Sequence, residues 1–187
     1  MENTIIIGIS GKMRSGKTTL AHRLKEHFDN RQVYSFADAV RREVASAICQ
    51  TAEERKAWDS LLTNHKEKAR ILLQGWGGTK RLLFGKDYWL KKTFDAINLC
   101  GYDIVFIDDV RYWNEMMRVN KRGMCIRLEC DRHELFVRGA TPDGLSHESE
   151  RDLNHTHFEQ HIDTSKLNEY DTFIEALRII EAKGILE

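Results

Sequence analysis

Residues Ile5 to Thr19 constrain this chain more than any other stretch. The apolar, mostly β-branched run Ile5-Ile6-Ile7-Gly8-Ile9-Ser10 leads straight into Gly11-Lys12-Met13-Arg14-Ser15-Gly16-Lys17-Thr18-Thr19. The run reads as a strand, the second stretch meets the pattern GxxxxGK[ST], and Leu20-Ala21-His22-Arg23-Leu24 continues it as a helix. Gly11 and Gly16 let the backbone curl so that successive N–H groups point inward, and the positive end of the following helix adds to that field. Such a cradle suits a polyphosphate. Lys17 can bridge the terminal phosphates of a nucleotide, and the Thr18 hydroxyl can ligate the Mg²⁺ that travels with it. Gly11, Arg14, Ser15, Gly16, Lys17, Thr18 and Thr19 are therefore the expected nucleotide-binding set.

At 187 residues the chain has room for one domain with a sizeable core and a small insertion or lid. Lysine plus arginine equals aspartate plus glutamate, 29 of each, so the net charge is zero. That weighs against an extended nucleic-acid footprint, and no stable nucleic-acid partner is expected. The start Met1-Glu2-Asn3-Thr4 has no positive leader, and the apolar run behind it is too short to cross a membrane, so a cytoplasmic location is expected. Cys49, Cys100, Cys125 and Cys130 form no CxxC pair, which points to reduced thiols rather than a zinc site.

Beyond the first helix, Gln32–Phe36 reads as a short strand, and Ala37-Asp38 opens a helix through Val40, Val44, Ala47 and Ile48. Thr51-Ala52-Glu53-Glu54 resembles a capping box. A helix from Asn64 to Gln74 is expected to break at Gly75-Trp76-Gly77-Gly78-Thr79, and another runs from about Asp87 to Leu99. Tyr102–Asp109 is apolar from Ile104 to Ile107 and ends in two carboxylates, the pattern of a parallel strand buried on both faces. Ligands gather at the carboxyl ends of such strands, so Asp108 and Asp109 are expected beside the phosphate loop. A helix over 114–122 ended by Gly123, a strand at Met124–Leu128, a last strand at Phe158–Asp163 and an amphipathic closing helix from Asn168 to Lys183 complete the reading. Between Glu129 and His161 the polar sequence, with a turn at Thr141-Pro142-Asp143-Gly144, reads as a mobile lid.

Arginines supply the next constraint. Arg41, Arg70, Arg81 and Arg111 can each hold a phosphate in a bidentate fork, which a second phosphorylated substrate requires. In Asp109-Val110-Arg111 the arginine faces an acceptor, while Asp108 or Asp109 can hold Mg²⁺ through its waters; either carboxylate can take that role or act as a helix N-cap. Arg132, Arg138 and Arg151 can swing over a transferring phosphoryl group. Phe36 and Trp76 can stack on an acceptor base or simply be core. The histidines His155, His157 and His161 read as a solvated surface, because a four-residue spacing along a strand keeps two rings too far apart to share a metal.

Together, Ser10–Thr19, Phe36-Ala37-Asp38-Ala39-Val40-Arg41, Leu72-Leu73-Gln74-Gly75 with Arg81 and Asp87-Tyr88-Trp89, Asp109-Val110-Arg111 with Asn114-Glu115, and His147-Glu148-Ser149-Glu150 resemble the phage-type deoxynucleoside monophosphate kinases. These are members of the nucleoside monophosphate kinase group of P-loop proteins, and the resemblance runs along most of the chain. It implies a three-layer α/β P-loop NTPase fold with a parallel sheet of about five strands, helices on both faces and a mobile lid. The whole chain, 1–187, is then a single kinase domain with an acceptor-binding helical region at about 36–100 and a lid at about 130–158. The implied activity transfers the γ-phosphoryl of ATP, with Mg²⁺, to a small-molecule nucleotide, with no membrane partner and with a homodimer open, in the host cytoplasm where the gene is a phage's. Lys17 and Thr18 fall on ATP and Mg²⁺, and Arg41, Arg70, Gln74, Arg81 and Arg111 fall around the monophosphate. Phe36, Asp38, Trp76, Glu148 and Arg151 complete the expected substrate set, and Lys17, Arg111, Arg132 and Arg138 the catalytic one. Two stretches depart from the family: Ala39-Val40-Arg41 stands where Pro-Leu-Lys is common, and Ile162-Asp163-Thr164 where an Ile-x-Asn-like stretch precedes the adenine loop. Animal-type phosphomevalonate kinases look similar at the phosphate loop and after the second strand. Another small-molecule kinase and a nucleotide-dependent switch or ATPase are the alternative readings.

Overall fold

The computed structural model describes residues 4–184; Met1, Glu2 and Asn3, read above as leaderless, lie outside the described residues. One compact unit runs to Ser35 and resumes at Ile97, and the other is Phe36–Ala96. Among the described residues no helix is long and apolar enough to cross a membrane.

The first unit is built on strands β1 (Ile5–Gly11), β2 (Arg31–Tyr34), β3 (Ile104–Val110), β4 (Gly123–Glu129) and β5 (Gln160–Asp163). They form one all-parallel sheet in the order β2-β3-β1-β4-β5. Every residue of β1 after Ile5 is buried, as are Ile104 to Ile107 of β3, because helices cover both faces and neither can present a polar side. On one face Ile7, Ile9, Phe106, Ile126 and Leu128 pack with Leu20 and Leu24 of α1 (Lys17–His27) and with Leu177 and Ile180 of α9 (Glu169–Ala182). α6 (Trp113–Asn120) covers the other face against β1 and β4. This is the three-layer P-loop NTPase architecture.

The centre of the sheet is packed to backbone contact. Gly123 opens β4 opposite Ile6, and a Cβ there would lie 2.1 Å from the Ile6 carbonyl oxygen. The sequence assigned Gly123 to a helix end; its place instead is a strand, where only a hydrogen fits. Strand β2 also ends before the expected Phe36, which begins a helix.

The second unit holds α2 (Phe36–Ile48), α3 (Ala52–Asn64) and α4 (Lys66–Phe84), and α5 (Tyr88–Cys100) begins in it. Thr51 caps α3 through the expected box, its hydroxyl accepting from Glu54 N while the Glu54 carboxylate accepts from Thr51 N. The expected break at Gly75–Thr79 does not occur: α4 runs through it for 19 residues. Three glycines cost a helix about 1 kcal/mol each relative to alanine. Packing offsets this. Ala69, Leu73 and Trp76 join Val44, Ala45 and Trp58 in an apolar cluster, and the Trp89 indole donates to the Gly77 carbonyl at 3.0 Å. The inward spacing Ala69, Leu73, Trp76, Lys80 is helical throughout and was the signal to follow across the glycines.

The polar segment between Glu129 and His161 contains α7 (Arg132–Val137), α8 (Pro142–Ser146) and a 3₁₀ turn at Glu148–Glu150. Leu135, Ala140 and Leu153 are buried in it. Its apolar residues are too few and too widely spaced to register as a periodic pattern.

Candidate active site

The loop between β1 and α1 needs both glycines. Gly11 has φ +151°, and a Cβ on it would come within 2.4 Å of Ser15 Oγ and 2.7 Å of the Leu128 carbonyl oxygen; Gly16, with φ +98°, turns the chain into α1. Arg14 also takes a left-handed conformation, φ +68°, and Ser15 N closes the turn on the Lys12 carbonyl at 3.1 Å. Ser15 is fully buried and its hydroxyl has no hydrogen-bond partner, an orphaned polar atom in the wall of the loop.

Lys17 opens α1 with its side chain buried and its ammonium donating to the Lys12 carbonyl at 2.7 Å. Burial, helped by the nearby Arg111 cation, pulls its pKa down to about 8 against the opposing pull of Glu150, Asp109 and Asp108. A dry, fixed ammonium of this kind is a stronger phosphate partner than a solvated one. The loop opens on a cavity of about 600 Å³ lined by Arg14, Ser15, Gly16, Lys17, Thr18 and Thr19, with Arg138, Thr164, Leu167 and Asn168 on its other walls. Every residue of the expected nucleotide-binding set except Gly11, which shapes the turn, lines this space.

At the carboxyl end of β3 the two adjacent carboxylates part. Asp108 accepts a hydrogen bond from the Thr18 hydroxyl at 2.8 Å, and Asp109 accepts one from the Ser35 hydroxyl at 2.7 Å. A hydroxyl and a carboxylate side by side, next to a cavity, are the hard oxygen donors a Mg²⁺ takes, so the residues present fit that ion. Thr18 and Asp108 are the pair that would hold it.

Arg111 lies just beyond β3. Its backbone N–H and that of Tyr112 donate to Glu115 at 2.9 and 3.0 Å, and its guanidinium pairs with Glu150. Burial works against its charge, but Glu150, Asp109 and Glu115 hold its pKa above the ordinary value. Glu150 also accepts the Met13 N–H at 2.7 Å. The sequence singled out Glu148, which sits exposed on the same 3₁₀ turn, and missed Glu150, which is buried. Arg138 donates to the Thr164 carbonyl at 2.7 Å and pairs with Glu134 at 2.9 Å on the cavity wall. Arg132 is exposed, with its guanidinium 5.6 Å from the centre of the Phe136 ring. Arg151 is exposed as well, and its charge, together with Arg127, adds to burial in lowering the Lys12 pKa.

The second unit carries the remaining expected residues. Asp38 pairs with Arg41 at 2.6 Å, and Phe36 is buried. Because α4 is unbroken, Arg70, Gln74 and Arg81 stand at i, i+4 and i+11, within about 40° of one another around the helix axis. The Trp76 indole donates to Glu43 at 3.0 Å, and the Lys80 ammonium lies 5.4 Å from the centre of its ring. Glu43, absent from the sequence reading because α2 was read only by its apolar positions, also takes the Tyr88 hydroxyl at 2.7 Å, Lys80 at 3.0 Å and Lys92.

No curated protein matches the chain. Solved structures do: TT1252 from Thermus thermophilus at 15% identity, TM-score 0.57, with 97% of this chain and 98% of that one covered; the tunicamycin resistance protein of Deinococcus radiodurans at 14%, TM-score 0.54, covering 94% and 95%; and shikimate kinase from Aquifex aeolicus at 13%, TM-score 0.53, covering 97% and 99%. At such identities the likeness is one of fold. The AAA domain family matches residues 7–152, a span from the third residue of β1 to just past Glu150 that takes in the phosphate loop, the Thr18–Asp108 pair and Arg111. A match over that much of the sequence, on a parallel sheet whose central strand ends in this loop, makes the chain a member of the AAA domain family.

Proposed function

We propose that this protein is a deoxynucleoside monophosphate kinase, which transfers the γ-phosphoryl group of ATP to a deoxynucleoside monophosphate and yields the diphosphate and ADP. The observation that carries the reading is Arg138, a cation from the segment after β4, lining the same cavity as the phosphate loop. Phosphoryl transfer needs cations on several sides of the γ-phosphate, and a fork outside the loop supplies one. Similarity in fold to a shikimate kinase is in keeping with a small-molecule kinase.

The acceptor's second phosphate pKa is near 6, so at neutral pH its attacking oxygen is already anionic and no general base is required. That oxygen bonds to the γ-phosphorus, the β–γ bridging P–O bond breaks, and its electron pair leaves on ADP. Lys17 and the loop N–H groups hold the donor; Arg111 and Arg138 offset charge on the transferring group; Arg41, Arg70, Gln74 and Arg81 hold the acceptor phosphate. Thr18 and Asp108 would hold a Mg²⁺, which would supply neutralisation of phosphate charge. Residues 130–158 act as a lid whose closure keeps water from the γ-phosphate. A hydroxyl acceptor would need a carboxylate base, a role for which Asp38, paired with Arg41, and Asp109, which accepts from Ser35, are the candidates.

The test is product analysis from Mg-ATP with a panel of deoxynucleoside and ribonucleoside monophosphates, phosphomevalonate and shikimate. A diphosphate formed from one or more deoxynucleotides supports the reading and names the base. Turnover with phosphomevalonate or shikimate alone overturns it in favour of another small-molecule kinase.

A further inference from the structure

We propose that Glu150 is the positioning residue that sets Arg111 against the phosphate loop. The role assigned to Arg111 rests on the reading above; the placement of Arg111 by Glu150 stands on geometry alone. The Glu150 side chain is 4% exposed, and its two carboxylate oxygens are divided between two partners. Oε2 accepts the Met13 N–H at 2.7 Å, within the phosphate loop, and Oε1 takes Nη1 of Arg111. Its own carbonyl accepts from the Lys12 ammonium, which also reaches Asn154. One buried carboxylate thus ties the loop at residue 13 to the guanidinium at residue 111.

The neighbouring groups make this arrangement directional. Arg111 is fixed at its backbone by Glu115 and at its side chain by Glu150, so both ends of a long, flexible side chain are held. The bond to Glu150 uses one nitrogen of a group with five N–H donors, and the rest of the fork can still grip a phosphate. Glu150 itself is set by the 3₁₀ turn, where its N–H donates to the His147 carbonyl at 2.9 Å. Glu150→Gln keeps one acceptor oxygen, which can still take the Met13 N–H, and turns the other into an amide donor that cannot accept from a guanidinium, so the loss falls on Arg111.

The experiment compares wild type with Glu150→Gln, Arg111→Lys and the double variant. Three readouts are needed: the ¹⁵N side-chain spectrum of the arginines, with Arg111 assigned by its loss in Arg111→Lys; ATP affinity by calorimetry; and transfer to the best acceptor of the panel. Glu150→Gln is expected to shift the Arg111 Nε–H signal and raise its mobility, leave ATP affinity within about threefold, and lower transfer by about 30-fold or more. In the Arg111→Lys background the same change is expected to alter transfer by less than about twofold, because a residue that acts through Arg111 has nothing left to position. An unchanged Arg111 signal, or independent and multiplying losses in the double variant, overturns the proposal. If Glu150→Gln does not fold, Glu150→Asp takes its place, with a smaller shift of the same signal expected and an unchanged signal overturning the proposal. If wild type transfers to no acceptor but Glu150→Gln still releases Arg111, the kinase reading fails and the positioning by Glu150 holds.

Discussion

The Thr18 hydroxyl donates to the Asp108 carboxylate at 2.8 Å across a sequence separation of 90 residues. The contact joins the start of α1 to the end of β3, and it exists because β3 pairs directly with β1. Replacing Asp108 by Asn removes a charge from the metal's expected place. The Mg²⁺ concentration for half-maximal turnover is expected to rise about 10–100-fold, whereas Asp109→Asn, at a carboxylate engaged by Ser35, raises it less than about threefold. A Mg²⁺ titration of both variants at saturating ATP checks the order.

That pair also shows where the sequence stopped. Both aspartates end an apolar strand, and adjacent side chains on a strand point to opposite faces, so only one of them can meet Thr18. Which one depends on the register of β3 against β1, which shifts between Gly8 and Ser10, and no local pattern encodes that. The loop itself was legible because Gly11 and Gly16 are required by its backbone and Lys17 and Thr18 by its chemistry. Glu148 and Glu150 stand two apart on one short turn, so nothing in their spacing told the buried one from the exposed one. The glycine run in α4 misled for a different reason, since local propensity was outweighed by the packing of Trp76 and Trp89.

Arg138 and Arg132 are separated by their surroundings. Arg138 lines the cavity with the loop, while Arg132 lies over the Phe136 ring. Arg138→Ala is expected to lower kcat/KM about 10²-fold. Arg132→Ala, at an exposed side chain, is expected to stay within about twofold of wild type. Steady-state kinetics on the two variants tests the contrast.

Glu43 predicts an acid-sensitive step in stability. Burial works against its charge, but hydrogen bonds from Lys92, Tyr88, Lys80 and Trp76 outweigh it and hold its pKa at about 2. A carboxylate whose folded pKa is depressed contributes stability above its unfolded pKa, about 4.3, and loses it as pH falls through that value toward 2. Thermal melts between pH 6 and pH 2.5 are expected to show a steeper decline for wild type than for Glu43→Gln; parallel curves would remove this role.

Gly123 sets a limit at the centre of the sheet. Gly123→Ala places a methyl group against the Ile6 carbonyl and is expected to cost about 1–3 kcal/mol, read as a lower urea midpoint at unchanged slope. The wild-type midpoint in that variant would mean that β4 can move away from β1.

The most direct test of the account is ADP release from Mg-ATP by wild type and by Lys17→Ala, each with and without a deoxynucleoside monophosphate. Wild type is expected to release ADP at least tenfold faster with its acceptor than alone, by lid closure, and Lys17→Ala is expected to lose about 10²-fold or more of that rate with its melting temperature retained. Equal release with and without acceptor, or wild-type kinetics in Lys17→Ala, would contradict the account.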